Sequence, residues 1–258
     1  PLFVFMGNLA TLSGMSRDLY AAAYSWFGHM RGGLASATIT ACAGFAALSG
    51  SSVASAVTMG QVALPEMKRF GYGARLSTGC VAAGGTLGIL IPPSTGFIVY
   101  AILTETSIGK LFLAGMLPGI LLALLFILTI IVTTRLNPEL GPPGPVRTLS
   151  DRLTSSAKAV PMLGIVLVTI GGIYSGIFTV SEASGIGALL ALLFALYRRT
   201  LTWRTLQTAL LNTMHTTAFV FLIIIGAHVF APFLALSEIP QNLGAGIAAL
   251  DLGRYGIL

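Results

Sequence analysis

Two apolar stretches of the chain are each interrupted by small residues that could bind an ion. The first interruption is Ser49-Gly50-Ser51-Ser52, inside a run of small and apolar residues from Gly33 to Leu64. A helix crossing a bilayer here would place these four residues at its centre, although glycine and serine favour turns. We therefore predict two half-length helices joined at this point, a re-entrant hairpin that enters and leaves a membrane on one face. Non-helical backbone at that depth is tolerated only when it is buried in protein or lines a wet cavity.

The second interruption lies within the apolar run Ala74–Thr104 and centres on two prolines. Pro92 and Pro93 lack amide protons, and their rings clash with the preceding helical turn. The residue before a proline is also pushed out of helical geometry. The sequence therefore predicts two half-helices with an unwound joint near Ile91.

Paired helix breaks of this kind are typical of secondary transporters. Half-helix N-termini offer amide protons to an anion, whereas C-terminal ends and unwound carbonyls coordinate Na⁺. We predict that the two breaks meet at mid-membrane and hold Na⁺ and one edge of a substrate. The alternative is a proline-hinged helix whose small residues only pack against a neighbour. The predicted site residues are Ser49, Gly50, Ser51, Ser52, Gly88, Ile91, Pro92, Pro93 and Ser94. The expected Na⁺ ligands among them are Ser49, Gly50, Ser51, Gly88 and Pro92.

The composition places these breaks in a membrane protein. Apolar residues make up 55% of the chain, charged residues only 9%, and the mean hydropathy is +0.90. A soluble domain has roughly a quarter charged residues, so this chain could not cover a water-facing surface. The net charge of +6 comes from short basic clusters between apolar runs, which is typical of cytoplasmic loops and not of a nucleic-acid-binding surface. We predict an all-α, multi-pass membrane protein with lipid around it and no nucleic-acid partner.

The apolar runs and the basic clusters together predict an order of elements. Basic and non-basic loops alternate after each predicted crossing, so segments 65–75, 135–158 and 198–204 are expected in the cytoplasm. Two stretches of mixed polarity could be interfacial helices or, equally, short solvated connectors. The predicted order is a helix with an interfacial approach over 1–32, the hairpin over 33–65, the broken helix over 74–104, a spanning helix over 111–134, a cytoplasmic loop with an interfacial helix over 135–158, two spanning helices over 159–197, and an interfacial plus a spanning helix over 202–236.

Other residues that could do chemistry are weaker candidates. Glu182 could be an intramembrane carboxylate, but its position after Thr179 favours a helix cap. His215 and His228 share no simple helical face and have no third ligand nearby. The chain has no nucleotide-binding motif, paired acid and base, or metal cluster, so we expect neither an enzyme with catalytic residues nor ATP hydrolysis.

Six motifs spread along the chain carry a family resemblance. They are Arg31-Gly32-Gly33-Leu34-Ala35, the serine-glycine tip within residues 45–54, Pro65-Glu66-Met67-Lys68, the proline joint within residues 89–94, Gly171-Gly172-Ile173-Tyr174 followed by Ser181-Glu182-Ala183, and Tyr197-Arg198-Arg199 with Leu201-Thr202-Trp203. Together they resemble the large membrane subunit of the tripartite ATP-independent periplasmic (TRAP) transporters over essentially the whole chain. One departure is Val180, where the family usually has proline, and it affects only the local turn.

The resemblance implies an elevator-type transporter in the bacterial cytoplasmic membrane, driven by a Na⁺ gradient and without another cofactor. It implies organic-acid substrates such as dicarboxylates or sialic acid. It also implies two partners, an extracytoplasmic substrate-binding protein and a small four-helix membrane subunit that is separate or fused. The family has two inverted repeats, of which the first is visible here. The second hairpin is expected to begin within 240–258 and to continue beyond Leu258.

Two rival functions remain open at this point. A stand-alone Na⁺/dicarboxylate symporter of the same broad architecture would work without a binding protein. A structural subunit of a membrane complex would transport nothing, but it would not need two polar breaks at mid-depth. Transport that persists without a binding protein would favour the symporter.

Overall fold

The computed structural model describes residues 1–242 and 244, which are almost entirely helical. No strand occurs in this part of the chain. Two compact units are present, the first comprising Pro1–Thr216 and the second beginning at Thr217. The helices are α1 (Leu2–Leu12), α2 (Met15–Phe27), α3 (Gly33–Ser49), α4 (Ser52–Arg69), α5 (Ala74–Leu90), α6 (Thr95–Thr104), α7 (Ile108–Leu136), α8 (Leu149–Tyr174), α9 (Val180–Tyr197) and α10 (Trp203–Leu236).

Five stretches are long and apolar enough to cross a membrane. The broken pair α5–α6 counts as one of them, and α7, α8, α9 and α10 are the others. The most apolar is α7, with 29 residues and a mean hydropathy of 2.7 in its best window, and it exceeds the roughly 20 residues that a span requires. The prediction of an all-helical polytopic membrane protein is confirmed.

The structure differs from the predicted order of elements in two places. Residues 1–32 form two helices, because Gly14 adopts a left-handed conformation with φ 82° between α1 and α2. The predicted interfacial helices are not separate elements, since α8 and α10 each run unbroken from the mixed-polarity stretch into the span. Helix α8 continues through Pro161, and residues 203–225 of α10 contain neither glycine nor proline. A change in polarity alone does not end a helix. The predicted second hairpin over 240–258 lies almost entirely outside the described residues.

Helix α3 is the central element of the first unit. It is rich in alanine, glycine, serine and threonine, and nearly all of its residues are buried. It contacts α1, α2, α4, α5 and α7. Small side chains let helices approach closely without a large apolar interface. The first break therefore follows the end of this buried helix, and α5, which leads into the second break, packs along it.

The loop after α7 is docked on the ends of other helices. After one turn of 3₁₀ helix at Pro138–Leu140, the Gly141 carbonyl accepts a hydrogen bond from the Gly32 N–H at 2.9 Å. The Gly144 N–H donates to the carbonyl of Gly28, at the end of α2, at 2.8 Å. These backbone bonds fix the first part of the loop against α2 and α3.

Candidate functional site

The first break joins α3 to α4 through a left-handed glycine. Gly50 follows the end of α3 with φ 57° and ψ 16°, and its N–H donates to the carbonyl of Ala46 at 3.0 Å. Glycine tolerates this backbone region without a Cβ penalty, which is why it commonly ends helices. The Ser51 hydroxyl then starts α4 by accepting a hydrogen bond from the N–H of Ala54 at 3.3 Å. One helix thus ends and the next begins within two residues.

The second break joins α5 to α6 through an extended, proline-containing segment. Ile91 has φ −83° and ψ 122°, the extended conformation that a following proline favours. Pro92 and Pro93 lead to Ser94, whose hydroxyl accepts from the N–H of Phe97 at 3.4 Å and starts α6. All four residues from Ile91 to Ser94 are buried, so this break lies in the interior of the unit.

The two breaks lie directly against each other. The N–H and the hydroxyl of Thr95 both donate to the Gly50 carbonyl, at 3.1 and 2.8 Å. A Cβ added at Gly50 would collide with the carbonyl oxygen of Pro93, and one at Gly88 would lie 2.6 Å from the carbonyl oxygen of Ser51. Glycine is required at both positions because two backbones approach each other there. The structure therefore brings the predicted site residues of the two breaks together.

Three of the four serine hydroxyls at the breaks, those of Ser49, Ser51 and Ser94, have hydrogen-bond partners. Ser49 shares a 2.8 Å hydrogen bond with Ser55, and this pair is buried. Ser51 and Ser94 cap α4 and α6. These three hydroxyls therefore hold the backbone in place, and each retains only part of its capacity to contact a ligand.

Three consecutive carbonyls of the second break have no hydrogen-bond donor among residues 1–242 and 244. They belong to Ile91, Pro92 and Pro93, all of which are buried. The C-terminal ends of α3 and α5 and the N-terminal ends of α4 and α6 meet at the same breaks. Carbonyl oxygens and helix C-termini suit a small hard cation, and helix N-termini suit an anion. The polarity of the site therefore comes from the backbone.

A small cavity of about 50 Å³ adjoins the first break. Its volume exceeds what one water molecule needs. Helix α1 supplies two of its polar residues, Asn8 and Thr11, and the sequence analysis did not identify either one. Their spacing of three places them on one face of an apolar helix, and that pattern was the available signal. Asn8 is held by a 3.0 Å hydrogen bond from its side-chain nitrogen to the Thr213 hydroxyl. The cavity is lined by Val4, Gly7, Asn8, Thr11, Ser49, Ser51, Ala54 and Thr216.

A family model matches the chain over its whole length. The model, described as Tripartite ATP-independent periplasmic transporter, DctM component, covers residues 1–258. The chain belongs to this family. The resemblance stated from the sequence motifs is thereby confirmed.

Curated members of the DctM family share substantial identity with the chain. The C4-dicarboxylate TRAP transporter large permease protein DctM of Pseudomonas aeruginosa is 39% identical, over all of this chain and 60% of that protein. The sialic acid TRAP transporter large permease protein SiaM of Vibrio cholerae is 35% identical, over 94% of this chain and 57% of its own length. The ectoine/5-hydroxyectoine TRAP transporter large permease protein UehC of Ruegeria pomeroyi is 31% identical, over 100% of this chain and 60% of its own length. The chain thus spans about 60% of the length of these relatives.

Family membership and the five candidate spans establish where this DctM-family chain resides. It is a multi-pass protein of the bacterial inner membrane, and the predicted localisation is confirmed. All nine predicted site residues lie in the first unit, either in the two breaks or at the helix ends beside them: Ser49 ends α3, Ser52 begins α4 and Gly88 lies in the last turn of α5.

The remaining candidate residues of this DctM-family chain have other roles. Glu182 closes a capping box at the start of α9, where its carboxylate accepts from the Thr179 N–H at 2.8 Å. The helix-cap interpretation of Glu182 is confirmed. Within the described residues, no group of three or more histidine, cysteine or acidic side chains is arranged to hold a metal ion.

Proposed function

We propose that the chain is part of the large membrane subunit of a secondary active transporter that moves a small organic acid across the cytoplasmic membrane. Transport is driven by a Na⁺ gradient. The observation that carries this proposal is the contact between two buried helix breaks, with Thr95 bonded to Gly50 and Pro93 packed on Gly50. A structural subunit has no need of such an arrangement, whereas a solute site at a pair of helix breaks does.

The Na⁺ site of this proposal uses mainly backbone oxygens. The Gly50 carbonyl already accepts two hydrogen bonds from Thr95, which reduces its capacity for a cation. The Pro92 carbonyl and its neighbours accept none from the described residues, and this supports Pro92 as the principal ligand of the second break. Ser49, Ser51 and Gly88 complete the proposed set. A buried carboxylate in a membrane is costly, so carbonyl coordination is the cheaper solution.

The transport mechanism and partners form the next part of the proposal. The hairpin α3–α4 and the broken helix α5–α6 move together as an elevator and form the first of two inverted repeats. An extracytoplasmic binding protein delivers the substrate, and a small four-helix membrane subunit completes the transporter. The names of relatives support an acidic solute, because they include C4-dicarboxylate and sialic acid transporters.

Reconstitution of the full-length transporter tests this function. We expect uptake of radiolabelled succinate into proteoliposomes to require an inward Na⁺ gradient and the binding protein encoded with the permease. Replacement of Na⁺ by K⁺ should abolish uptake. Undiminished uptake in K⁺ would contradict Na⁺ coupling, and uptake without the binding protein would favour a stand-alone symporter.

Pro92→Ala tests whether the second break is part of the transport site. Alanine restores an amide donor and permits a more continuous helix, so we expect succinate transport per folded molecule to fall more than expression does. Pro161→Ala is the matched control, because Pro161 lies inside α8, a different helix from the breaks. If Pro92→Ala reduced folded protein and activity in equal proportion, the break would be only a packing kink.

A further inference from the structure

A second and larger cavity opens in the first unit between α2 and α4. Its volume is about 520 Å³, within the range of roughly 300–1,000 Å³ that is usual for small-molecule sites. Its walls are strongly polar, although both flanking helices belong to an apolar membrane protein. The polar residues that carry the argument are Arg17, Tyr20, Tyr24, Gln61, Arg69 and Arg147.

The charges around this cavity are predominantly positive. Arg17, Arg69 and Arg147 line it together with a single acid, Glu66. Among residues 1–242 and 244, none of these four side chains forms an ion pair. All three arginines are exposed to solvent. A guanidinium that is not paired within the protein is well suited to a carboxylate, which it can bind through two parallel hydrogen bonds.

The buried wall of the cavity supplies hydroxyl donors. Tyr20 is only 4% exposed, and the Tyr24 hydroxyl is buried without a hydrogen-bond partner in the described part of the chain. A buried hydroxyl without a partner is costly unless a ligand or water satisfies it. Burial raises the pKa of Tyr20, so its hydroxyl remains a donor at neutral pH. Donors of this type complement an anion.

Backbone contacts of the loop after α7 place the third arginine. The Gly144 N–H donates to the Gly28 carbonyl at 2.8 Å, which holds the loop over the end of α2. Three residues later, the Arg147 guanidinium lies over the Tyr24 ring, with its carbon 5.7 Å from the ring centroid. The Tyr24 ring in turn stacks on Tyr20 at 6.5 Å. Arginine and tyrosines thus form one supported cluster.

This cavity and the small cavity beside the first break share a lining residue. Thr11 lines both the large cavity and the small cavity beside Ser51. Along α4, Ala54 faces the small cavity, and Thr58 and Gln61 face the large one. Their spacing of four and three residues places them on one side of the helix. Thr11 and this face of α4 therefore line both cavities, one beside the first break and the other beside the arginines.

We propose that this arginine–tyrosine cavity is a second binding site for the carboxylate of the transported organic acid, on its path between the helix breaks and the cytoplasm. The inference rests on the proposed transport function. Arg69 and Arg147 belong to two of the segments whose basic character predicts a cytoplasmic location. A positive cavity on that path gives the anion an intermediate site after it leaves the breaks.

Ligand protection of a single cysteine tests this site directly. Gln61→Cys places a thiol at an exposed position of the cavity wall, and Lys68→Cys places a control thiol on the same helix but outside the cavity wall. The natural Cys42 and Cys80 are buried, and the parent protein measures any background labelling. The full-length complex in phosphatidylcholine nanodiscs is labelled with a neutral maleimide, with succinate or its uncharged diamide present.

We expect succinate to slow labelling at Gln61→Cys but not at Lys68→Cys, and the diamide to slow neither. Adding Arg147→Gln should raise the succinate concentration for half-protection about tenfold, because a hydrogen bond to a charged group is lost. Arg75→Gln, an arginine outside the cavity, should leave that concentration unchanged. Equal protection by the diamide, or no effect of Arg147→Gln, would overturn the proposal.

Two further measurements distinguish a second substrate site from a lipid site and from a failure of the proposed Na⁺ coupling. If phosphatidylglycerol nanodiscs slow labelling at Gln61→Cys while succinate does not, the cavity holds a lipid headgroup and the proposal is wrong. The assay uses no ion gradient, so protection is independent of Na⁺ coupling. Protection without Na⁺-driven uptake would contradict only the proposed coupling, and uptake without protection would contradict only the second site.

Discussion

Helices α8 and α9 begin differently from α4 and α6, the two helices that start at the breaks. At exposed positions, α8 and α9 begin with complete capping boxes. Thr148 caps α8 and Asp151 closes the box, with a 2.7 Å bond between the hydroxyl and the carboxylate. Thr179 and Glu182 repeat the arrangement at α9, with a corresponding bond of 2.8 Å. Each of these two helix starts thus has an acid against its positive end. Helix α7 also begins at an exposed residue, but it has only the hydroxyl cap of Ser107.

At the interior breaks, α4 and α6 begin with a hydroxyl cap alone. Ser51 and Ser94 bond to the third amide of their helices, but no acidic residue occurs in the first turn of either helix. A carboxylate buried there would be costly, and it would also neutralise the positive helix ends. At α4 and α6, therefore, no carboxylate neutralises the partial positive charge of the helix N-terminus. That charge is available to a ligand.

The largest expected effect comes from Gly50→Ala. Gly50 and Gly71 both have left-handed backbones, with φ 57° and 72°, but a Cβ at Gly50 would strike Pro93 whereas one at Gly71 would meet nothing within 4 Å. The left-handed conformation alone costs alanine roughly 1–2 kcal/mol. Overpacking at Gly50 adds about 1–3 kcal/mol. We expect Gly50→Ala to lower the melting temperature and transport per folded molecule far more than the control Gly71→Ala, and equal effects would mean that the contact between breaks is unimportant.

A smaller effect is expected at Gly88, on the other side of the same contact. A Cβ added at Gly88 would lie 2.6 Å from the Ser51 carbonyl oxygen, whereas one added at Gly79, in the same helix, would meet no atom within 4 Å. Gly88→Ala should destabilise by about 1–3 kcal/mol because the first break must shift. Gly79→Ala should be neutral or stabilising by up to about 1 kcal/mol, since alanine favours helix. Thermal unfolding in detergent measures both, and a stable Gly88→Ala protein with normal transport would refute the tight apposition.

The smallest effect compares the two kinds of helix start directly. Ser51→Ala and Thr179→Ala each remove a capping hydroxyl, at a cost of about 1 kcal/mol. We expect Thr179→Ala to reduce stability only. Ser51→Ala should in addition raise the Na⁺ concentration needed for half-maximal uptake, because its hydroxyl belongs to the proposed site. If both variants had the same Na⁺ dependence, Ser51 would be a cap like Thr179 and nothing more.

The helix breaks and the arginine–tyrosine cavity show which features could be predicted from the sequence pattern and which could not. Glycine, serine and proline disrupt helices through their own backbone properties, so Gly50 and Pro92 marked both breaks without knowledge of any neighbour. Arg69 and Arg147 were also visible, but only as basic loop residues. Their shared cavity depends on the docking of the loop on Gly28, a backbone hydrogen bond between distant segments that no local pattern indicates.

The sequence by itself determined the helical membrane class, the family and the positions of the two breaks. The hydropathy of a segment and the helix-breaking effect of proline and glycine depend on the residues of that segment alone, so they can be recognised without knowledge of its neighbours in space. Only the tertiary structure decided that Thr95 bonds to Gly50, that Asn8 reaches a cavity beside Ser51, and that the buried Tyr24 hydroxyl lacks a partner among the described residues. These facts depend on which helix faces share the space around α3. Close packing of small residues determines which helix faces contact α3, and sequences with the same pattern of hydropathy could pack their helices in different ways.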